Sequence, residues 1–218
     1  MDQVAANVER CLTAVEKVRC ATVCGHEDAV GLLCATLGRA MAFESGSIAR
    51  LQFAAGLHDI GKVNLPDSIL QKSGPLDATE WDAMREHPKL GFDILCQSDD
   101  SCVRTAALVA LCHHERWDGS GYPCGLAGEE IPPEARIVGL CDVYHALRET
   151  RPYKSSLNHE QALAIILNGD GSGRTRPSHF DPITYAAFRT HSDLMRDAIE
   201  EPSAVGSNSQ RYRQAGHF

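Results

Sequence analysis

The run His113-His114-Glu115-Arg116-Trp117-Asp118-Gly119-Ser120-Gly121-Tyr122-Pro123 constrains this chain more than any other stretch. Two adjacent imidazoles offer two neutral nitrogen ligands to a borderline transition metal. Gly119, Gly121 and Pro123 then force a rigid, non-helical excursion directly beside that pair. A fold that contains this string must hold a stiff loop against a pair of potential metal ligands, and must supply the remaining ligands from elsewhere.

Candidates for those ligands are spread through the chain. His26 opens a helix-like stretch, Leu57-His58-Asp59-Ile60-Gly61-Lys62 contains a His-Asp pair, Glu86-His87-Pro88 follows, and Cys141-Asp142-Val143-Tyr144 comes after the double His. A lone histidine is usually a surface residue or a satisfied core residue, and His159, His179, His191 and His217 are read that way. The ordered set His26, His58, Asp59, His87, His113, His114 and Asp142 is read instead as a metal site. Asp59 is the candidate bridge, because a carboxylate has two oxygens whereas an imidazole has one free nitrogen.

From about Gly25 to Phe180-Asp181-Pro182 the chain resembles the HD-GYP family, within the HD superfamily of metal-dependent phosphohydrolases. The resemblance implies an all-α helical bundle carrying the Gly-Tyr-Pro signature loop. It also implies that His26, His58 and Asp142 serve one metal and that His87, His113 and His114 serve the other. Mixed histidine and carboxylate ligands suit iron or manganese, with zinc, nickel or cobalt as substitutes. Two close divalent ions lower the pKa of a bridging water, so that hydroxide exists near neutral pH, and they neutralise charge that builds on a phosphodiester. The reaction implied is hydrolysis of cyclic di-GMP to the linear dinucleotide pGpG, and onward to GMP. Cyclic GMP-AMP is the alternative substrate, and a catalytically weak module that binds a dinucleotide or a partner protein is the alternative class.

Family members with a third metal carry a Glu one turn before the first His and a second Asp after Asp-Val-Tyr. Thr22 and His145 stand there in this chain. Both changes remove hard oxygen ligands, so two metals are expected rather than three, although His145 retains a nitrogen that could coordinate. For the substrate, Lys62 lies one turn beyond His58 and is the expected catalytic cation beside Asp59. Arg151 and Lys154, in Arg151-Pro152-Tyr153-Lys154, match the family's basic element, and Tyr122 would pack on the dinucleotide or hydrogen-bond it. An arginine fork and a lysine point charge are both suited to phosphate. Glu115 and Asp118 are expected to orient the ligand histidines from behind.

A net charge of -8 argues against a nucleic-acid polymer as partner, but not against a small phosphorylated ligand met by local charge. No apolar run approaches the ~20 residues needed to span a bilayer, and the start Met1-Asp2-Gln3 lacks a secretory pattern, so no membrane partner and a cytoplasmic location are expected. Nine cysteines without an export signal read as reduced thiols packed as small hydrophobes, as at Cys34, Cys96, Cys112 and Cys141.

Helical periodicity is expected over 1–20, where Val4, Val8, Leu12, Val15 and Val18 form an apolar stripe, and over 26–43, 47–60 with Gly61 as its stop, 102–114, 133–148, 158–168 and 182–199. The stripe must be covered either by the domain's own helices or by a second chain, which would make a homodimer. A regulatory protein is a further partner to expect. The domain proper spans 21–200, and the polar stretch 201–218 reads as a disordered tail. Asp77-Ala78-Thr79-Glu80 signals a capped helix start, and Pro88 places His87 at a helix junction.

Overall fold

Short polar side chains mark where several helices begin. Asp77, Asp100, Asn158 and Asp181 each accept hydrogen bonds from backbone N–H groups of the turn that follows, and Asp77 with Glu80 and Asn158 with Gln161 form reciprocal capping boxes. Each such cap is worth about 1 kcal/mol, because it satisfies donors that a helix start leaves without partners. The computed structural model describes residues 25–149 and 156–200. The expected first helix with its apolar stripe, Thr22, Arg151, Lys154 and the tail 201–218 lie outside the described residues.

Among the described residues every regular element is helical. They run α1 (His26–Ala40), α2 (Ser45–Ala55), a 3₁₀ turn (Ile60–Asn64), α3 (Asp67–Leu70), α4 (Ala78–Met84), α5 (His87–Leu95), α6 (Ser101–Cys112), α7 (Pro133–Arg148), α8 (His159–Asn168), α9 (Pro182–Thr190) and α10 (Ser192–Glu200), with further 3₁₀ turns at Gly128–Glu130 and Pro177–His179. None of these helices is long and apolar enough to cross a membrane.

Helix α1 packs against α2, α7 and α10, and α7 also packs against α6 and α8. Val30, Leu33, Cys34 and Leu37 of α1 meet Val138, Leu140, Cys141 and Tyr144 of α7 in one continuous core. Helix α5 lies against α6 and against the 3₁₀ turn that follows the His-Asp pair.

Three details differ from the sequence reading. Helix α2 ends at Ala55, capped at Gly56, so His58 and Asp59 sit in a turn beyond it rather than inside its last turn. Gly61 therefore stops no helix. Its role is spatial: a Cβ there would stand 1.9 Å from the His87 carbonyl oxygen, so only glycine lets the two segments meet. The helix expected over 182–199 is broken at His191 into α9 and α10. Cys96, expected in the core, is exposed at the end of α5, whereas Cys34, Cys112 and Cys141 are buried as small hydrophobes.

Candidate metal centre

Three of the candidate ligands share one local device. Ring atom Nδ1 of His58 lies 2.7 Å from the Ala55 carbonyl, that of His87 lies 2.7 Å from the Met84 carbonyl, and that of His113 lies 2.9 Å from the Ala110 carbonyl. Each carbonyl belongs to the last turn of α2, α4 or α6, where helix geometry leaves acceptors without partners. A carbonyl only accepts, so Nδ1 is the donor in all three rings. The neutral tautomer that results leaves the Nε2 lone pair pointing the other way.

Those lone pairs converge. Nε2 of His87 is 3.2 Å from Oδ1 of Asp59 and 3.3 Å from Nε2 of His113. Nε2 of His58 stands 3.4 Å from Oδ2 of Asp59 and 3.9 Å from Oδ1 of Asp142, buried and without a hydrogen-bond donor. Across α1 and α7, Nε2 of His26 lies 3.1 Å from Oδ1 of Asp142. Acceptors facing acceptors at these distances repel one another unless a proton or a metal cation sits between them, and a cluster of this kind fits divalent metal ions. His114 completes the group from the other side, with its ring 4.1 Å from that of His113 between centroids.

The donor atoms fall into two sets that meet at Asp59: His26 and His58 with Asp59, and His87, His113 and His114 with Asp59. The structure thus brings all seven sequence-derived ligands to one place, with Asp142 reaching the first set through His26 and His58. A third group, His26 with His145 and Glu149, uses the opposite nitrogen of His26, whose Nδ1 is 2.8 Å from Nδ1 of His145. One imidazole would have to lose both protons to serve a metal on each side. As placed, the contact is a hydrogen bond that orients His26.

Charge is distributed to match. Burial, helped by positive charge on neighbouring histidines, holds the His113 pKa well below the ordinary imidazole value. Burial likewise brings His114 down to about 3, so both rings are neutral at pH 7, the form that a metal ligand needs. Burial opposes charge on His58, but the Asp59 and Asp142 carboxylates outweigh it and raise its pKa to about 9. A cation placed among these groups would displace that proton. Burial also opposes charge on Asp59, yet Lys62 and His58 keep it well below the usual carboxylate range. Lys62 does not project outward for a phosphate alone: its ammonium rests on Oδ2 of Asp59.

The signature loop is tied down by carboxylates expected to serve the histidines instead. Glu115 accepts from the backbone nitrogens of Cys124 at 2.6 Å and Leu126 at 3.1 Å, and Asp118 accepts from Ser120 and from the Ser178 hydroxyl. Glu115, which is buried, and Asp118, which is exposed, both hold the loop and leave the candidate ligand rings to helix carbonyls. The loop in turn lays Tyr122 flat on His114, with 4.7 Å between centroids and planes 24° apart. Beyond Tyr122 and His114 opens a cleft of about 590 Å³, lined also by Trp117, Arg116, Arg136 and Arg174. His159 and His179 are core residues with partners, as expected: His159 pairs with the Tyr144 hydroxyl at 2.9 Å, and His179 accepts from the Arg176 backbone nitrogen at 3.3 Å.

A family model described as the HD domain matches residues 8–179. The chain belongs to the HD domain family. This HD domain is 49% identical over 116 residues to the cyclic di-GMP phosphodiesterase response regulator RpfG of Xanthomonas campestris, covering 53% of this chain and 31% of that one. It is 44% identical over 162 residues to a probable cyclic di-GMP phosphodiesterase of Vibrio cholerae (70% of this chain, 35% of the relative). Against 3'3'-cGAMP-specific phosphodiesterase 2 of the same organism it is 38% identical over 168 residues (77% and 31%). The chain therefore spans about a third of the length of these relatives. In three dimensions it superposes on the HD domain of the L. monocytogenes phosphodiesterase PgpH, solved with cyclic di-AMP, at TM-score 0.60 and 16% identity, covering 87% of this chain and 97% of that one. At that identity the likeness shows the shared HD fold.

Proposed function

We propose that this HD domain hydrolyses a cyclic dinucleotide at a pair of divalent metals, with cyclic di-GMP as substrate and the linear dinucleotide pGpG as first product. One observation carries the reading: ligands from five separate segments converge so that the two oxygens of Asp59 face two different histidine sets. When bound, paired divalent ions would supply Lewis-acid charge for the phosphodiester and lower the pKa of water to near neutrality.

The chain's own residues do the rest. His26, His58 and Asp142 would hold one metal and His87, His113 and His114 the other, with Asp59 shared. Lys62 keeps Asp59 ionised and would add its positive charge beside the substrate's phosphate. Tyr122 forms one wall of the site, and Arg151 and Lys154 are assigned to the substrate's phosphates. Iron and manganese are the metals that this mixture of nitrogen and oxygen donors favours. The relatives named for cyclic di-GMP support the first choice of substrate, and the 3'3'-cGAMP-specific relative motivates a second reading, cyclic GMP-AMP.

Anaerobically prepared protein loaded with iron or manganese should convert cyclic di-GMP to pGpG and hold about two metals per chain, as a paired site requires. Asp59→Ala should lose metal and turnover together. No turnover of either dinucleotide by fully loaded protein, or full activity in Asp59→Ala, overturns the proposal. Faster turnover of cyclic GMP-AMP selects the second reading.

A further inference from the structure

Arg85 was silent in the sequence. It follows α4 and precedes His87 by two residues, and it is exposed at the edge of the metal centre. Its guanidinium lies 4.6 Å from the centroid of the Tyr122 ring, and Tyr122 is itself stacked on His114. Tyr122 thus touches both exposed Arg85 and the proposed metal ligand His114. Stacking engages the flat face of a guanidinium and leaves the N–H groups along its edge available. Among the described residues no hydrogen bond or ion pair engages that edge. Other cations nearby have protein partners: Lys62 contacts Asp59, Arg116 donates to the Arg174 carbonyl, and Arg136 donates to the Ile131 and Glu129 carbonyls.

We propose that Arg85 binds the second phosphate of the substrate, the one not being cleaved, using Tyr122 as the platform that holds its fork in place. This assignment rests on the cyclic-dinucleotide reading of the site. The scissile phosphate belongs at the ligand cluster, where the metal charge would be. Arg85 is exposed and touches Tyr122 rather than the ligand cluster itself, so the anion it meets is the next one along the sugar–phosphate ring. A planar fork addresses two oxygens of a phosphodiester at once, which a lysine at this position could not do.

The test compares two substrates on the metal-loaded full chain: cyclic di-GMP, with two phosphates, and bis(p-nitrophenyl) phosphate, with one. Arg85→Ala should raise KM for cyclic di-GMP by roughly ten- to a hundredfold while its kcat changes far less, since one charge-assisted contact is removed from binding. The ratio of kcat/KM values for the two substrates should fall by a similar factor, and metal content should match wild type. Arg85→Lys should recover only part of the loss. A wild type that cleaves both substrates, with Arg85→Ala equal to it on both or impaired equally on both, overturns the assignment alone; equal impairment would make Arg85 a prop for Tyr122. A wild type that cleaves bis(p-nitrophenyl) phosphate and neither cyclic di-GMP nor cyclic GMP-AMP overturns the functional reading, and this assignment with it.

Discussion

Replacing Gly61 with alanine should damage stability and metal binding together. The added methyl would stand 1.9 Å from the His87 carbonyl oxygen and 2.5 Å from the Gly91 nitrogen. Carbon and oxygen in close contact settle at about 3.3 Å, so the start of α5 must retreat by roughly 1 Å or more. Both clashing atoms are backbone, and no rotamer change relieves them. Overpacking typically costs about 1–3 kcal/mol, and a rigid site belongs at the upper end, roughly 2–3 kcal/mol. For a domain of this size that corresponds to about 4–12 °C in Tm. The retreat would also carry Nε2 of His87 away from Oδ1 of Asp59, now 3.2 Å distant, and from Nε2 of His113, now 3.3 Å distant. Functional geometry tolerates about 0.5 Å, and misplacement near 1 Å costs about a hundredfold in rate. Thermal unfolding of chelated protein, elemental analysis and phosphodiester turnover measure the three effects. A variant with the Tm, metal content and rate of wild type would refute the reasoning.

Two further outcomes follow from the site. His145→Ala should weaken metal binding by about 10–100-fold, the usual effect of losing a ligand's outer partner, and His145→Asn should restore part of it by keeping an acceptor for His26; equal affinities in all three proteins would remove His145 from the site's support. Chelated protein should be most stable near pH 6.5. His113 and His114 have depressed pKa values, so their contribution is present above the unfolded value of about 6.5 and is lost as pH falls, towards 3 for His114. His58 has a raised pKa, so its contribution is present below about 6.5 and is lost as pH rises through 9. Added metal should flatten the alkaline limb by taking the proton's place on His58, and a chelated protein whose Tm changes monotonically between those limits would contradict the assignment.

Most of the candidate ligands that the fold brings together were legible because they stand in short strings whose chemistry is local: a His-Asp pair, a His before proline, a double His before a glycine-rich turn. The helices around them were legible from periodicity and, at Asp77, from a capping signal that the fold uses. What escaped the sequence depends on separate segments meeting. Arg85 gains meaning only when the loop lays Tyr122 beneath it, and residue order says nothing of that. Glu115 and Asp118 looked like partners for the histidines because they adjoin them, but the rings had already found helix-end carbonyls and the carboxylates went to the loop. Gly61 looked like a helix stop, and its true constraint lies on α5. His145 with Glu149 one helical turn later did carry a signal, a His/Glu pair four residues apart on one face of α7, whose target was hidden until α1 docked.

The manner in which each ring is steadied bears on the order in which the centre assembles and fails. His58, His87 and His113 carry their orienting carbonyl within their own chain segment, three residues back, so each comes ready-aimed as soon as one helical end has formed. Among the described residues His26 has no such local guide: its steadying nitrogen, on His145, is 119 residues away along the chain. It becomes aimed only when α1 and α7 have closed on each other. The half of the centre built on His87 and His113 can therefore mature early and survive loosening, whereas the half built on His26 is the last to be made and the first to be given up. The seam between α1 and α7 thus works as the centre's clasp, and whatever spreads or tightens it governs one metal position ahead of the other.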